Sequence, residues 1–245
     1  MRIQTRPRSA SCALALCISL AALRVGAEDL RGTVQLVARG GKGPSTESDV
    51  SQAVVYFEPA GGAPPRRAEA PFEMVTRQKQ FLPRVMVVPR GARVRFPNQD
   101  PILHNVFSVS PGNFFDLGLY NQGPGKEQKL DQPGLVRVFC NVHHSMVAYI
   151  LVLGTPYYTQ PGPDGRFSLS GLPKGPGRLT VWHEQTEPWT ASLTLPQAQA
   201  ASQASQTAPP MITARVEVVR PRIPPHLNKT GQSYFRSGRD RYDQP

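Results

Sequence analysis

The residues best suited to chemistry lie in the short stretch 140–146, which reads Cys-Asn-Val-His-His-Ser-Met. It spaces the thiol of Cys140, the imidazole of His143 and the thioether of Met146 as C-x2-H-x2-M. Residues 136–139 alternate in polarity, which predicts a strand that delivers Cys140 into a tight loop. A thiolate, an imidazole and a weak axial thioether are the ligand set that suits copper in an electron-transfer site.

A copper site of this kind needs a second imidazole, and the sequence offers one upstream at His104. His104 follows a polar turn that starts at Asn98, and it stands directly before Asn105. Considered alone, His104 would be interpreted as a hydrogen-bonded surface histidine before a strand. Paired with the C-x2-H-x2-M loop, it is predicted to be the second nitrogen ligand.

The first 27 residues are predicted to be a cleaved secretory signal peptide. They begin with basic residues, continue with an apolar run over 10–23 and end in the small-residue sequence Val25-Gly26-Ala27. The apolar run is too short for a stable membrane span and is followed by the polar pair Glu28-Asp29. We therefore expect the chain to be exported, with a bacterial periplasm as the predicted location.

Export would limit the chemical states that Cys140 can adopt. Cys12 and Cys17 would leave with the signal peptide, so Cys140 would be the only thiol of the mature chain. A lone cysteine in an oxidising compartment is buried and inert, paired between chains, or bound to a metal. The neighbouring histidine and methionine favour the metal-bound alternative over a buried core cysteine.

The charge of the chain points away from nucleic acid. Its formal net charge of +11 falls to +7 in the mature chain, because residues 1–27 carry four arginines and no acidic residue. The sequence contains no nucleic-acid-binding motif and no basic helix. Scattered positive charge favours an acidic redox partner or an anionic membrane surface, and an equally good alternative is that it only aids solubility.

The fold is predicted to be all-β. The 21 glycines and 26 prolines punctuate short apolar runs, and no long amphipathic helix is visible. In the run 93–96 the alternation points Val94 and Phe96 inward. The continuously apolar run 148–153 predicts a strand buried on both faces, and 123–129 is predicted to be a turn.

The upstream His-Asn pair and the downstream C-x2-H-x2-M loop together resemble the cupredoxins, the small blue-copper β proteins. The short loop is similar to that of the amicyanin type. Over about 30–184, the chain resembles bacterial methylamine-utilisation-like exported proteins, in which a cupredoxin core precedes a carboxypeptidase-regulatory-like β segment.

The resemblance implies a Greek-key cupredoxin β-barrel or sandwich that holds one type 1 copper per chain. The implied copper ligands are His104, Cys140, His143 and Met146. Asn105 is implied to support the site by tying the His104 loop to the Cys140 loop, with its backbone N–H directed at the thiolate.

His144 is the competitor of His143 as a ligand. A C-x3-H arrangement would leave only one residue between His144 and Met146, whereas C-x2-H-x2-M fits the short loop closure. We therefore expect His143 to be the ligand and His144 to point to solvent, where it could influence partner docking. His183 stands beside Trp182 with no second ligand nearby and is interpreted as structural.

The domain prediction divides the mature chain into three parts. A copper domain spans 28–153, a carboxypeptidase-regulatory-like segment spans 154–219, and a basic extended tail spans 220–245. Residues 163–175 are predicted to form a glycine-rich hairpin, and 197–207 a low-complexity loop. An alternative is that 30–58 completes the C-terminal segment, so that the copper core is inserted in it. The tail could dock through Tyr234 and Phe235.

The leading functional hypothesis is a one-electron carrier, not an enzyme, that exchanges electrons with a c-type cytochrome or a periplasmic dehydrogenase. One alternative is a protein that handles and delivers copper. Another is a periplasmic interaction module whose β-sandwich binds a partner or a glycan. A zinc site would leave Met146 unexplained. A cysteine hydrolase is disfavoured because Cys140 ends a strand and no oxyanion-hole motif is visible.

Overall fold

A computed structural model describes residues 28–40, 43–45, 48–65, 72–195 and 211–234. The predicted signal peptide, the low-complexity loop 197–207 and Phe235 lie outside these ranges. The described residues form an all-β protein, as predicted, with one 3-10 turn at Val50–Gln52. None of the helical structure in the described ranges is long and apolar enough to cross a membrane. The strands are β1 Glu28–Val37, β2 Val54–Pro59, β3 Phe72–Glu73, β4 Val75–Arg77, β5 Gln80–Leu82, β6 Val85–Pro89, β7 Ala92–Asn98, β8 His104–Ser110, β9 Asn113–Tyr120, β10 Gly123–Leu130, β11 Gly134–Phe139, β12 Val147–Leu153, β13 Tyr158–Thr159, β14 Arg166–Leu172, β15 Gly175–Trp182, β16 Trp189–Leu195 and β17 Met211–Glu217.

Strands β3 to β12 build a sandwich of two sheets, here called the first sandwich. One sheet has the order β10-β7-β4-β5, with β3 paired to β7, and the other has the order β6-β12-β11-β8-β9. The inward orientation predicted for Val94 and Phe96 is confirmed, since both are fully buried. They pack in one apolar core with Val138, Cys140 and Met146, so this core ends at the predicted metal loop.

The remaining strands build a second sandwich from both ends of the chain. Its sheets have the orders β14-β1-β17 and β13-β2-β15-β16. Strand β1 pairs antiparallel with β14 and parallel with β17, while β2 pairs with β15. Both N-terminal strands, β1 and β2, therefore pair with strands that follow residue 153.

The two sandwiches meet at a shared apolar cluster. Strand β12 contributes Tyr149 and Leu151 to this cluster, which also contains Trp182 of the second sandwich. The alternate residues Ile150 and Val152 of the same strand face the core of the first sandwich. All seven residues of β12 are therefore buried, as the continuous apolar run predicted.

Two local predictions were wrong. Residues 123–129 form most of strand β10, which pairs with β7 through an irregularity between Gly123 and Lys126. At this irregularity Gly125 has a φ of +72° and lies against the backbone of Phe96. A Cβ added to Gly125 would lie 1.8 Å from the carbonyl oxygen of Phe96. The predicted hairpin over 163–175 does not form, because β14 and β15 lie in different sheets and face each other across the second core.

Candidate metal centre

Three of the predicted ligands come together at one end of the first sandwich. The donor atoms of His104, Cys140 and His143 all lie within 4.8 Å of one another, and all three residues are buried. The Sγ of Cys140 is 3.8 Å from the Nδ1 of His104 and 3.8 Å from the Nδ1 of His143. Each imidazole therefore presents the same nitrogen to the thiol.

The sheet brings the distant His104 to the loop. Strands β8 and β11 are neighbours, and Phe107 pairs with Phe139, the residue before Cys140. His104 is the first residue of β8, and Cys140 follows the last residue of β11, so both lie at the same end of the sheet.

Backbone hydrogen bonds close the ligand loop. The N–H of Met146 donates to the carbonyl of His143 at 3.1 Å, and the N–H of Cys140 donates to the carbonyl of Met146 at 3.3 Å. Met146 is 1% exposed and packs in the same core cluster as Cys140. The loop thus turns the predicted axial residue back into the apolar interior.

The surroundings of Cys140 fit a metal-bound thiolate. Burial raises the pKa of the thiol, while backbone N–H groups of Asn105, Val142 and His143 oppose that rise. Three donors aimed at one buried sulfur stabilise its charged form, which also needs a cation in so apolar a setting. A metal ion between the thiolate and the two imidazoles would supply that positive charge.

Asp100, which was not among the predicted site residues, holds His104. The Oδ2 of Asp100 lies 2.9 Å from the Nε2 of His104, on the ring edge opposite the one that faces Cys140. The backbone N–H groups of Gln78 and Lys79 donate to the two carboxylate oxygens at 2.6 and 2.9 Å. The only sequence signal was an acidic residue four positions before the histidine.

The electrostatics of this pair keep His104 ready to bind a metal. Burial lowers the pKa of His104, and the neighbouring Asp100 only partly offsets that effect. Burial acts to raise the pKa of Asp100, but the backbone N–H donors and His104 outweigh it and the pKa is lowered. A carboxylate on one ring nitrogen fixes the tautomer and leaves the other nitrogen as the metal donor.

Asn105 supports the site differently from the implied role. Its backbone N–H acts on the Cys140 thiol, in the direction that the resemblance implied. Its side-chain Nδ2, however, donates to the Oδ1 of Asp116 on the neighbouring strand β9 at 2.7 Å. The Asn105 side chain therefore ties β8 to β9 and makes no direct bond to the ligand loop.

His144 lies outside the three-donor group and contacts the C-terminal segment. Its ring stacks on that of His226, with centroids 4.9 Å apart and planes 3° apart. The expectation that His144 simply points to solvent is therefore wrong, because His226 covers one ring face. His183, interpreted as structural, is buried away from the group, and its Nδ1 accepts from the N–H of Gln185 at 3.3 Å.

The predicted docking of the tail through Tyr234 has a counterpart in the structure. The hydroxyl of Tyr234 donates to the carbonyl oxygen of Cys140 at 2.9 Å. Burial raises the pKa of Tyr234, so the hydroxyl keeps the proton that this bond requires. Phe235 lies outside the described residues.

Comparison with known proteins finds similarity in structure only. No family model and no curated protein matches the chain. A purple cupredoxin from Nitrosopumilus maritimus is 19% identical at a TM-score of 0.31, covering 34% of this chain and 99% of that protein. A point variant of amicyanin in its reduced Cu(I) form is 15% identical at a TM-score of 0.33, covering 42% of this chain and 99% of that protein.

A copper-containing nitrite reductase from Thermus scotoductus is also similar, at 21% identity and a TM-score of 0.33. The match covers 37% of this chain and 25% of that enzyme. In the described residues the strands form sandwiches and no closed barrel. The resemblances to the cupredoxins and to methylamine-utilisation-like exported proteins stay predictions.

Proposed function

We propose that this protein is a one-electron carrier with one type 1 copper per chain. The proposed ligands are the thiolate of Cys140, the Nδ1 atoms of His104 and His143, and the thioether of Met146. The observation that carries the proposal is the buried His-Cys-His group, whose donor atoms lie within 4.8 Å of one another. Copper bound there would accept and release one electron by changing between Cu(II) and Cu(I).

The donor set favours copper over zinc. A thiolate with two imidazoles and a weak sulfur donor is the set used by blue-copper electron-transfer sites. A catalytic zinc site would keep an open position for water, whereas these three residues are at most 5% exposed. Burial of the site also argues against ready transfer of copper to another protein.

The surrounding hydrogen bonds suit a carrier because they fix the ligands before metal binds. Asp100 orients His104, and backbone bonds between Cys140, His143 and Met146 fix the loop that carries the other three ligands. A site that keeps one geometry in both copper oxidation states needs little rearrangement when an electron moves. No substrate transformation is proposed, and the chain is accordingly proposed not to be an enzyme.

The proposed partner is a periplasmic redox protein, such as a c-type cytochrome or a dehydrogenase. Exposed apolar side chains lie next to the ligands in sequence, namely Ile102 and Leu103 before His104 and Val142 before His143. We propose that these residues provide the apolar contact for a transient partner. The mature charge of +7 favours a partner with an acidic surface, or brief contact with an anionic membrane. The proposed periplasmic location rests on the predicted signal peptide.

The domain organisation is part of this proposal. The copper unit comprises strands β3 to β12, and the second sandwich combines β1 and β2 with the strands after residue 153. The second sandwich is proposed to be a carboxypeptidase-regulatory-like scaffold that carries and supports the copper unit.

The test is spectroscopic. The chain without residues 1–27, loaded with Cu(II), is expected to show an intense visible thiolate-to-copper band and a small copper hyperfine splitting. The Cys140→Ser variant should lose the band and keep its far-UV circular dichroism. An unchanged spectrum in this variant would rule out the proposed site.

A further inference from the structure

The C-terminal segment leaves the second sandwich and crosses to the metal loop. It is fixed first near its origin, where Val218 forms a β-bridge with Thr186 and Arg220 contacts Glu187. The carbonyl of Arg222 then accepts from the guanidinium of Arg84 at 2.6 Å. The segment therefore arrives at the first sandwich as an anchored chain.

Residues 226–234, here called the strap, contact the ligand loop and the residue before it at several positions. The His226 ring stacks on Phe139 with centroids 4.2 Å apart, and on His144. The backbone N–H of Lys229 donates to the Oδ1 of Asn141 at 3.0 Å. The hydroxyl of Tyr234 donates to the carbonyl of Cys140. The contacted residues therefore include Cys140 itself and the residues directly before and after it, as well as the residue after His143.

Lys229 also connects the strap to the strand that carries His104. Its Nζ lies 2.7 Å from the Oδ2 of Asp116, and the other oxygen of that carboxylate accepts from Asn105. Burial acts to raise the pKa of Asp116, but Lys229 and Asn105 outweigh it and the pKa is lowered, so the group is a carboxylate. A chain of hydrogen bonds thus runs from Asn105 through Asp116 and Lys229 to Asn141.

This chain joins the residue after His104 to the residue after Cys140. The Asn105 side chain does not reach the ligand loop directly, and Lys229 bridges the gap with its side chain and its backbone. We propose that the strap is a positioning element of the metal centre, in which Lys229 bridges the two ligand-bearing segments and Tyr234 fixes the backbone of the ligand loop at Cys140. The proposal rests on the proposed copper site.

The first test uses the copper-loaded chain without residues 1–27. Lys229→Met keeps most of the side-chain length and removes the bond to Asp116, and Tyr234→Phe removes one hydroxyl. Each variant is expected to bind copper on the order of tenfold more weakly, because residues that orient ligands typically contribute that much. Each should also change the relative intensities of the thiolate-to-copper bands. The matched control is Lys129→Met on β10, which removes an exposed pair with Asp131 and should change neither quantity.

A second readout needs no metal. In the copper-free chain, both strap variants should accelerate amide hydrogen exchange in the ligand loop, residues 140–146, with no change in the second sandwich. Failure of the wild-type chain to form a thiolate-to-copper band would reject the copper proposal. Hydrogen exchange in the metal-free loop would still test whether the strap positions that loop. Unchanged loop exchange in both variants would overturn the strap, whatever metal the site holds.

Discussion

The carboxylate of Asp100 and the imidazole of His104 form a buried pair in which Oδ2 and Nε2 are 2.9 Å apart. The pair fixes the ring so that Nδ1 faces the thiol of Cys140. It also places a negative charge on the far side of the His104 ring from the proposed copper. Asp100 should therefore influence both the strength of copper binding and the reduction potential.

Asp100→Asn is expected to raise the reduction potential. The variant keeps an oxygen acceptor for the His104 N–H but loses the negative charge that favours Cu(II). Copper affinity should also fall on the order of tenfold, as for other groups that orient a ligand histidine. Voltammetry and competition with a chelator measure the two quantities. Asp164→Asn, at an exposed position of the second sandwich, is the control, and a potential equal to wild type would remove Asp100 from the site.

The choice between the adjacent histidines can be tested directly. His143→Ala should abolish the type 1 spectrum, because it removes an imidazole whose Nδ1 lies 3.8 Å from the Cys140 sulfur. His144→Ala should keep that spectrum, since this ring stacks on His226 outside the donor group. Electron paramagnetic resonance of both copper-loaded variants provides the measurement. The reverse outcome would move the proposed ligand by one residue.

The sequence predicted the donor group better than the groups that support it. Cysteine, histidine and methionine at short spacing are chemically distinctive. Because they need a second imidazole, His104 could be predicted as a ligand. Asp100 resembled an ordinary polar residue of a turn, because its role depends on how the chain folds back onto Gln78 and Lys79. Lys229 lies 88 residues after Asn141 in a segment without apolar periodicity, so its contact depends wholly on tertiary structure.

The wrong fold predictions have physical reasons as well. Strand β10 lies at a sheet edge, and most of its side chains are at least partly exposed. Its residues are therefore polar, and no apolar alternation indicated a strand. Strands β14 and β15 looked like a hairpin because glycine and proline separate two apolar runs. Phe167 and Leu179 instead pack in one core from opposite sheets, and the local pattern does not distinguish these arrangements.

The contact between the two sandwiches gives a prediction about stability. Arg84 bonds Glu184 of the second sandwich and also donates to the carbonyl of Val147 on β12. The Glu184 side chain is only 5% exposed, so Arg84→Met would leave a buried carboxylate unpaired and should cost about 3 kcal/mol of unfolding free energy. Arg178→Met breaks an exposed pair with Glu58 and should cost less than about 1 kcal/mol.

Denaturant unfolding of the two arginine variants, followed by tryptophan fluorescence, measures the difference. Trp182 lies in the cluster between the sandwiches and reports on that contact. Equal losses for Arg84→Met and Arg178→Met would show that the Arg84–Glu184 pair contributes no more than an exposed one.

The role of Met146 separates an axial ligand from a core residue. A thioether is a weak donor, so its loss should affect copper binding far less than loss of the thiolate. Met146→Gln should stay copper-bound with altered colour and a lower reduction potential, because the harder amide oxygen favours Cu(II). Met146→Leu should also bind copper, but at a higher potential, because it removes the soft donor and keeps the buried volume. Voltammetry on both variants measures these opposite shifts. Two potentials equal to wild type would leave Met146 as a residue of the apolar core alone.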